Sequence, residues 1–328
     1  MAEPLKVNCR TCHAKLDVGE FAPFEQVACP QCGTVIRVPM RFDRYLLEKV
    51  CGKGGDSIVY RAIDPELSRR VAIKIGNGVS ADGEADPRFV NSARISGILS
   101  DPGVVPVYNC GICDNRSFLV MRFMEHGDLE RMLKHHELPE HSVILSWIAG
   151  IIPALIEARN KNIVHHDIKP GNIMLTAENS PKIGDWDLAD CRTQGDYQTP
   201  CSEWASPIYA SPERIYCGCE DYRGDIFCLG VTIYELLSKQ APFGLSGSTE
   251  EIYDRRKNME FVPLAEILPE TMPELSRIVS AMLEYLPENR PDYEEILKVI
   301  KQAVDYKKDM EKGSCSGHSG RISWFRKN

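Results

Sequence analysis

Asp167, Lys169 and Asn172 stand within six positions of one another in the stretch VHHDIKPGNIML at 164–175, with a Pro and a Gly among them. Their side chains offer a carboxylate that can take a proton, an ammonium that can neutralise anionic oxygen, and an amide oxygen that can ligate a hard cation. A buried strand or helix would not tolerate this run. A loop that handles phosphate and metal would need it.

Four cysteines form a second set. CRTC at 9–12 and CPQC at 29–32 are two CxxC pairs with 16 residues between them. That spacing falls in the range of zinc sites, where Cys9, Cys12, Cys29 and Cys32 would complete a tetrahedron of thiolates. Gly33 follows the second pair, where a tight turn needs a small residue, and the strand-like pieces VNC, EQVAC and TVIRV surround the set. The competing readings are four buried free cysteines and, for CRTCH, a c-type haem attachment. The second CxxC and the polar start Met1–Leu5, unlike an export signal, argue against haem. So small a module has little core, and metal binding would supply most of its folding energy.

Composition sets the frame. The chain has 328 residues, 43% of them apolar, and a net charge of −8. This is an ordinary globular composition for two or three domains, without the basic excess that attracts nucleic acid or anionic lipid. Thirteen cysteines, an odd number and mostly scattered, suit a reducing compartment better than a disulfide framework. The most apolar run, Val143–Ile156, is interrupted by Ser146 and Pro153 and reads as a core helix rather than a membrane span.

The elements that must hold these groups are readable in outline. YLLEKVCGKGGDSIVYRAID predicts strand, glycine turn and strand, and RRVAIKIG predicts a third strand. PRFVNSARISGILS has helical spacing. VVPVYNCGI and SFLVMRFM predict two more strands joined at CDNR. Long helical patterns such as LSRIVSAMLEYL follow. A glycine turn alone is weak evidence, though glycines let backbone N–H groups approach a phosphate.

Taken in order, these motifs resemble the protein kinase domain, most like bacterial Ser/Thr kinases, over about residues 45–304. The resemblance implies an α+β, bilobal protein-kinase-like fold, with a β-rich N-lobe at 42–121 and a helical C-lobe at 125–304. It is preceded by a zinc-ribbon-like module at 1–41 and followed by a flexible basic tail at 305–328. It implies ATP and Mg²⁺ as cofactors, beside a structural Zn²⁺ in the ribbon. Gly52 and Gly54 match the phosphate-covering loop, Val59 and Ala72 the adenine pocket, and Lys74 of VAIK the phosphate-holding lysine. In LVMRFMEHGDL, Met121 would stand at the back of the adenine site, Arg122 and Met124 would offer backbone to it, and Asp128 would lie near the ribose. Met174 is placed with the adenine-site residues. Asp167 matches the catalytic base, Lys169 the lysine that neutralises the moving phosphoryl group, and Asn172 and Asp185 of GDWD the Mg²⁺ ligands. Ser206 matches a residue that holds the substrate region. Glu213 should pair with Arg290, and Asp225 should brace the catalytic loop through its backbone.

Four positions depart from the pattern. Ser57 replaces the third loop glycine. Ser92 stands where a glutamate would pair with Lys74, a gap that Glu84 or Asp86 could fill. His166 replaces the arginine that meets a phosphorylated activation segment. As a histidine it carries at most partial charge near neutral pH, so activation by phosphorylation is expected to be weak or absent. Asp187 replaces a glycine that permits unusual backbone angles. None of the four removes the lysine, the base or a metal ligand. The implied function is therefore an active Ser/Thr protein kinase with an unknown protein substrate. The alternative is a pseudokinase or ATP-sensing scaffold that works through the ribbon.

The ribbon's charges nearly cancel: Lys6, Arg10, Lys15, Arg37 and Arg41 stand against Glu3, Asp17, Glu20 and Glu25. That disfavours nucleic acid and leaves a protein partner as the expectation. Cys110 and Cys113 read as incidental thiols in a hairpin, and Cys217 and Cys219 receive no role. From Tyr306 the chain turns polar and ends in RISWFRKN. Many bacterial kinases carry a membrane span beyond the kinase domain. Its absence here predicts a cytoplasmic protein with no transmembrane segment.

Overall fold

The computed structural model describes residues 5–80, 82–191, 207–218, 220–244 and 248–315. The chain divides into two compact units, Met1–Ile98 with Val105–Met124, and Leu99–Val104 with Glu125–Asn328.

The first unit opens with two minimal hairpins. β1 (Lys6–Asn8) pairs with β2 (Lys15–Asp17), and β3 (Gln26–Ala28) pairs with β4 (Val35–Arg37). The two repeat one another at an offset of 20 residues, Cys9 to Cys29 and Cys12 to Cys32. His13 N–H donates to Cys9 O in the first knuckle as Gly33 N–H donates to Cys29 O in the second. His13 and Gly33 both adopt positive φ, 60° and 72°, which glycine takes freely and histidine does not. Val18 and Val38 close the two repeats and are buried.

The chain then builds a larger antiparallel sheet from β5 (Met40–Phe42), β6 (Tyr45–Lys53), β7 (Ser57–Asp64) and β8 (Arg69–Gly76). After α1 (Pro87–Ile98) come β9 (Val107–Cys113) and β10 (Arg116–Arg122). Among the described residues the strand order is β5-β6-β7-β8-β10-β9. Alternation decides the faces: Val71, Ile73 and Ile75 of β8 are buried in a core with Leu47, Phe118 and Val120. Burying each such side chain contributes about 1.5–3 kcal/mol. The hairpin module docks on this sheet, with Phe24 stacked on Tyr60 at 6.1 Å and Arg10 bonded to Glu48.

The second unit contains β11 (Gly127–Asp128), α2 (Leu129–Lys134), α3 (His141–Asn160) and β12 (Ile163–Val164). β13 (Ile173–Leu175) and β14 (Pro181–Ile183) form a hairpin, and β15 (Asp190–Cys191) pairs back on β12. Helices α4 (Pro212–Cys217), α5 (Tyr222–Ser238), α6 (Thr249–Lys257), α7 (Leu264–Ile267), α8 (Pro273–Met282) and α9 (Tyr293–Cys315) follow. Helix α5 is buried along nearly its whole length and passes so near α8 that a Cβ on Gly230 would meet Met282 Cβ at 2.9 Å.

Among the described residues α3 is the one helix long and apolar enough to cross a membrane. Its Ile144, Ile148, Ile151 and Leu155 are instead buried inside the second unit, as the interrupted run at 143–156 predicts. Helix α9 corrects the expected tail boundary. It continues to Cys315, well past Tyr306, because the polar run that follows lacks Pro and is rich in good helix formers. The expectation for RISWFRKN at 321–328 lies outside the described residues.

Candidate active site

The loop at 165–172 is held from below by Asp225, in the first turn of α5. Its carboxylate accepts the backbone N–H groups of His165 at 2.7 Å and His166 at 2.8 Å. Asp167 is buried, and Lys169 Nζ donates to its Oδ2 at 2.6 Å. Asn172 Nδ2 donates to Asp167 O at 2.7 Å and to Asp167 Oδ2 at 3.0 Å. Both partners are oxygens, so the nitrogen end of the amide faces Asp167 and the oxygen is what Asn172 presents elsewhere.

Asn172 leads into β13, where Ile173 sits opposite Ile183 of β14. Gly184 N–H donates to Asn172 O at 3.0 Å. Asn172 and Asp185 therefore leave the same end of one hairpin. Asp185 takes a left-handed backbone, φ 63°. Trp186 is buried, its ring 4.3 Å from that of His165. Asp187 lies in the following right-handed turn, Trp186–Leu188, so the unusual angle falls at Asp185 and the replaced glycine leaves no strained residue at 187.

Two adjacent histidines end in different charge states, one neutral and one positive. Burial pushes His165 down to about 4, which leaves it neutral with Nε2 3.2 Å from Gly184 O. Burial opposes the charge of His166 too, but hydrogen bonds to Asp190 and Glu220 outweigh it and raise His166 to about 9. His166 Nδ1 lies 2.7 Å from Glu220 Oε1, and Nε2 lies 3.2 Å from Asp190 Oδ2. This corrects the expectation of partial charge: carboxylates on both ring nitrogens keep this imidazole protonated at neutral pH.

Glu220 is a hub that the sequence did not announce. It is 3% exposed and also accepts Ser211 Oγ and Arg214 Nη1, while Arg214 Nη1 donates to His166 O at 2.6 Å. Burial pushes its carboxyl up, but the His166 bond and the charges of His166 and Arg214 win and hold it below the usual range. Gly224 lies against it, where a Cβ would meet Glu220 Oε2 at 1.9 Å.

In the first unit, sheet register shows which of the expected site residues share a face. Val59 is opposite Lys74, Ala72 is opposite Met121, and Ala72 and Lys74 are two apart on β8. These four share the face opposite Val71, Ile73 and Ile75. Gly52 pairs with Val59, and Gly54 N–H donates to Ser57 O at 2.8 Å to close the turn. Arg122 N–H donates to Pro106 O, which narrows its reading as an adenine partner to the carbonyl, and Met124 is buried.

Ser92 is buried in α1, and Lys74 Nζ lies 5.7 Å from the Phe89 ring centroid. Asp86 is held by Arg88 at 2.7 Å, and Arg88 reaches Asp56 in the glycine turn at 3.1 Å. The Arg88 hydrogen bonds, its charge and the charge of Lys74 hold the Asp86 carboxyl low against its burial.

In the second unit, Asp128 caps α2, accepting Arg131 N–H at 2.8 Å, and pairs in register with Met174. Arg290 grips Glu213 with both guanidinium nitrogens, at 2.7 and 2.8 Å. Ser206 lies outside the described residues. Arg256, unremarked in the sequence, is 1% exposed. It donates to the carbonyls of Pro207, Ile208 and Ala210 and packs over the rings of Phe227, Phe243 and Tyr253.

The four thiols of the hairpin module converge. Their sulfurs all lie within 4.8 Å of one another, with Cys9 to Cys32 at 3.6 Å and Cys12 to Cys29 at 3.7 Å. A tetrahedron with metal–sulfur bonds of about 2.3 Å has edges of about 3.8 Å.

Comparison with known proteins gives a consistent answer. A family model described as protein kinase domain matches residues 45–300. Serine/threonine-protein kinase PknL of Mycobacterium tuberculosis is 31% identical over 214 residues, 65% of this chain and 53% of PknL. Serine/threonine-protein kinase PknB of Mycolicibacterium smegmatis is 31% identical over 261 residues, 76% of this chain and 41% of PknB. Serine/threonine-protein kinase PrkC of Bacillus subtilis is 32% identical over 201 residues, 61% of this chain and 31% of PrkC. The chain thus spans about a third to a half of the length of these relatives.

Proposed function

The chain belongs to the protein kinase domain family, and from that premise we propose that it transfers the γ-phosphoryl group of ATP to serine or threonine hydroxyls of a protein substrate. The observation that carries this reading is the meeting of Lys169 and Asn172 on Asp167, with Asp185 leaving the same hairpin end as Asn172. Asp167 orients the substrate hydroxyl and takes its proton. Lys169 offsets charge on the moving phosphoryl group, and Lys74 with the turn at Gly52 and Gly54 holds the phosphates. Asn172 Oδ1 and the Asp185 carboxylate, hard oxygen donors, would hold Mg²⁺, which when bound neutralises phosphate charge. In the first unit Val59, Ala72, Met121 and Met124 would contact the adenine; in the second Met174 would do the same, and Asp128 would meet the ribose.

Cys9, Cys12, Cys29 and Cys32 would hold a structural Zn²⁺, a reading supported by their sulfur spacing. The free thiols among the described residues support a reducing, cytoplasmic setting. The test is to incubate pure protein with Mg-ATP and a generic protein substrate and to map phosphorylated residues by mass spectrometry, beside Asp185→Ala. Phosphoserine or phosphothreonine that disappears in the variant is expected. Nucleotide-dependent thermal stabilisation without any transfer would overturn the enzyme reading in favour of an ATP-sensing scaffold.

A further inference from the structure

The ribbon's charges cancel in the sequence but not in space. Within the first unit, a cavity of about 670 Å³ lies between the hairpin module and the sheet. Lys6, Arg10 and Arg37 of the module and Lys49 and Arg61 of the sheet line it, with Glu48 as the one acid among the described residues. Glu48 is already held by Arg10 and by Arg61 at 2.7 Å. No carboxylate pairs with Lys6, Arg37 or Lys49 among the described residues. Asp17, Glu20 and Glu25, which balance the module's charge in the sequence, are absent from the lining. Among the described residues a net excess of four positive charges is thus gathered in one concavity of a chain whose overall charge is −8. Its volume falls in the range of ligand sites, about 300–1,000 Å³.

We propose that this cavity docks an extended, acidic segment of a partner protein, its acidic side chains against the cations and its aliphatic ones against the walls. Three features select that occupant. The walls between the cations are aliphatic, among them Val7, Ile36, Leu46 and Ile63, with Val35 63% exposed. Among the described residues no aromatic ring lines the cavity to stack on a nucleobase. Every residue of β1 and of β4 lines it, and each of these strands is paired on one side only among the described residues. An unpaired strand edge offers backbone donors and acceptors to an extended peptide. The site belongs wholly to the first unit and is independent of the phosphoryl-transfer reading, since binding is measured without catalysis.

The test uses the full chain and two fluorescein-labelled peptides of about ten residues, one alternating Glu and Val and one alternating Lys and Val, read by fluorescence anisotropy. The Glu/Val peptide is expected to bind, more weakly as salt rises, and at least about tenfold more weakly to Arg37→Glu/Lys49→Glu. Arg277→Glu, a charge change at an exposed side chain of α8 far along the chain, should leave binding unaltered. Lys49→Ala alone, which removes no described contact, serves if the double variant melts early; it should weaken binding in the same direction. No Glu/Val binding up to about 1 mM overturns the proposal. So does equal binding of the Lys/Val peptide, equal binding by the variants, or tighter binding of a single-stranded oligonucleotide at the same residues.

Discussion

His166 Nδ1 and Glu220 Oε1 are 2.7 Å apart in a buried pair that joins the loop at 165–172 to the turn before α5. The family pattern leads one to expect an arginine at the histidine position, meeting a phosphate. Here a carboxylate of the chain itself occupies the partner's role.

A pH dependence follows. The folded-state pKa of His166 is about 9, above the ordinary value of 6.5. The stability this histidine adds is therefore complete below about pH 6.5 and is lost as pH rises through about 9. The amount is about 3 kcal/mol. Urea melts across that range should show the loss in the parent and a much shallower one in Glu220→Gln. Parallel curves for the two would refute the pairing.

Gly224 is small because Glu220 needs the room. Gly224→Ala should cost about 2–4 kcal/mol, since the new methyl would meet Glu220 Oε2 at 1.9 Å. In a Glu220→Ala background the same change should cost far less. The two effects are coupled through one contact, and a double-mutant cycle by thermal denaturation measures it.

Asp167→Asn should lower turnover by about 10²–10⁴-fold while leaving the melting temperature close to the parent's. Lys169→Met should lower turnover with little change in ATP affinity, because Lys169 bonds Asp167 rather than standing on the adenine side. Steady-state kinetics with a fixed peptide substrate checks both. Full activity in Asp167→Asn would remove the assigned base.

One zinc per chain is expected by elemental analysis. Cys9→Ser or Cys29→Ser should abolish it, and a strong chelator should melt the hairpin module at lower temperature than the rest. Zinc content unchanged in both variants would place the metal elsewhere.

Arg256→Met should destabilise the second unit by about 3 kcal/mol, because three backbone carbonyls at 207–210 would lose a buried donor. Arg256→Lys should not rescue it, since an ammonium cannot reproduce the planar fork. Denaturant titration of both variants decides this.

Much of the fold was legible because its signals are local. Alternation at Val71, Ile73 and Ile75 marks a strand, and two CxxC pairs mark a thiol cluster. The Asp167–Lys169–Asn172 group is contained in a few residues and needs only a loop to converge. What stayed hidden is non-local. Glu220 lies 54 residues from His166 in sequence, and nothing around it announces a partner. Arg256 meets the carbonyls of 207–210 across a similar separation. The charge of His166 depends on those distant carboxylates, so its residue type alone misleads. The ribbon's net charge hides a segregation that only the docked arrangement creates. The boundary at Tyr306 failed for another reason: a polar run can be a solvated helix as readily as a coil.

The stacking of Phe24 on Tyr60, with Arg10 gripping Glu48, has a mechanical meaning. The hairpin module is not a bead on a string but is fastened to the sheet at two points. Glu48 and Tyr60 sit on β6 and β7, the two strands whose far ends turn at Gly54. Through these two contacts the module and the strands that carry the glycine turn share one support.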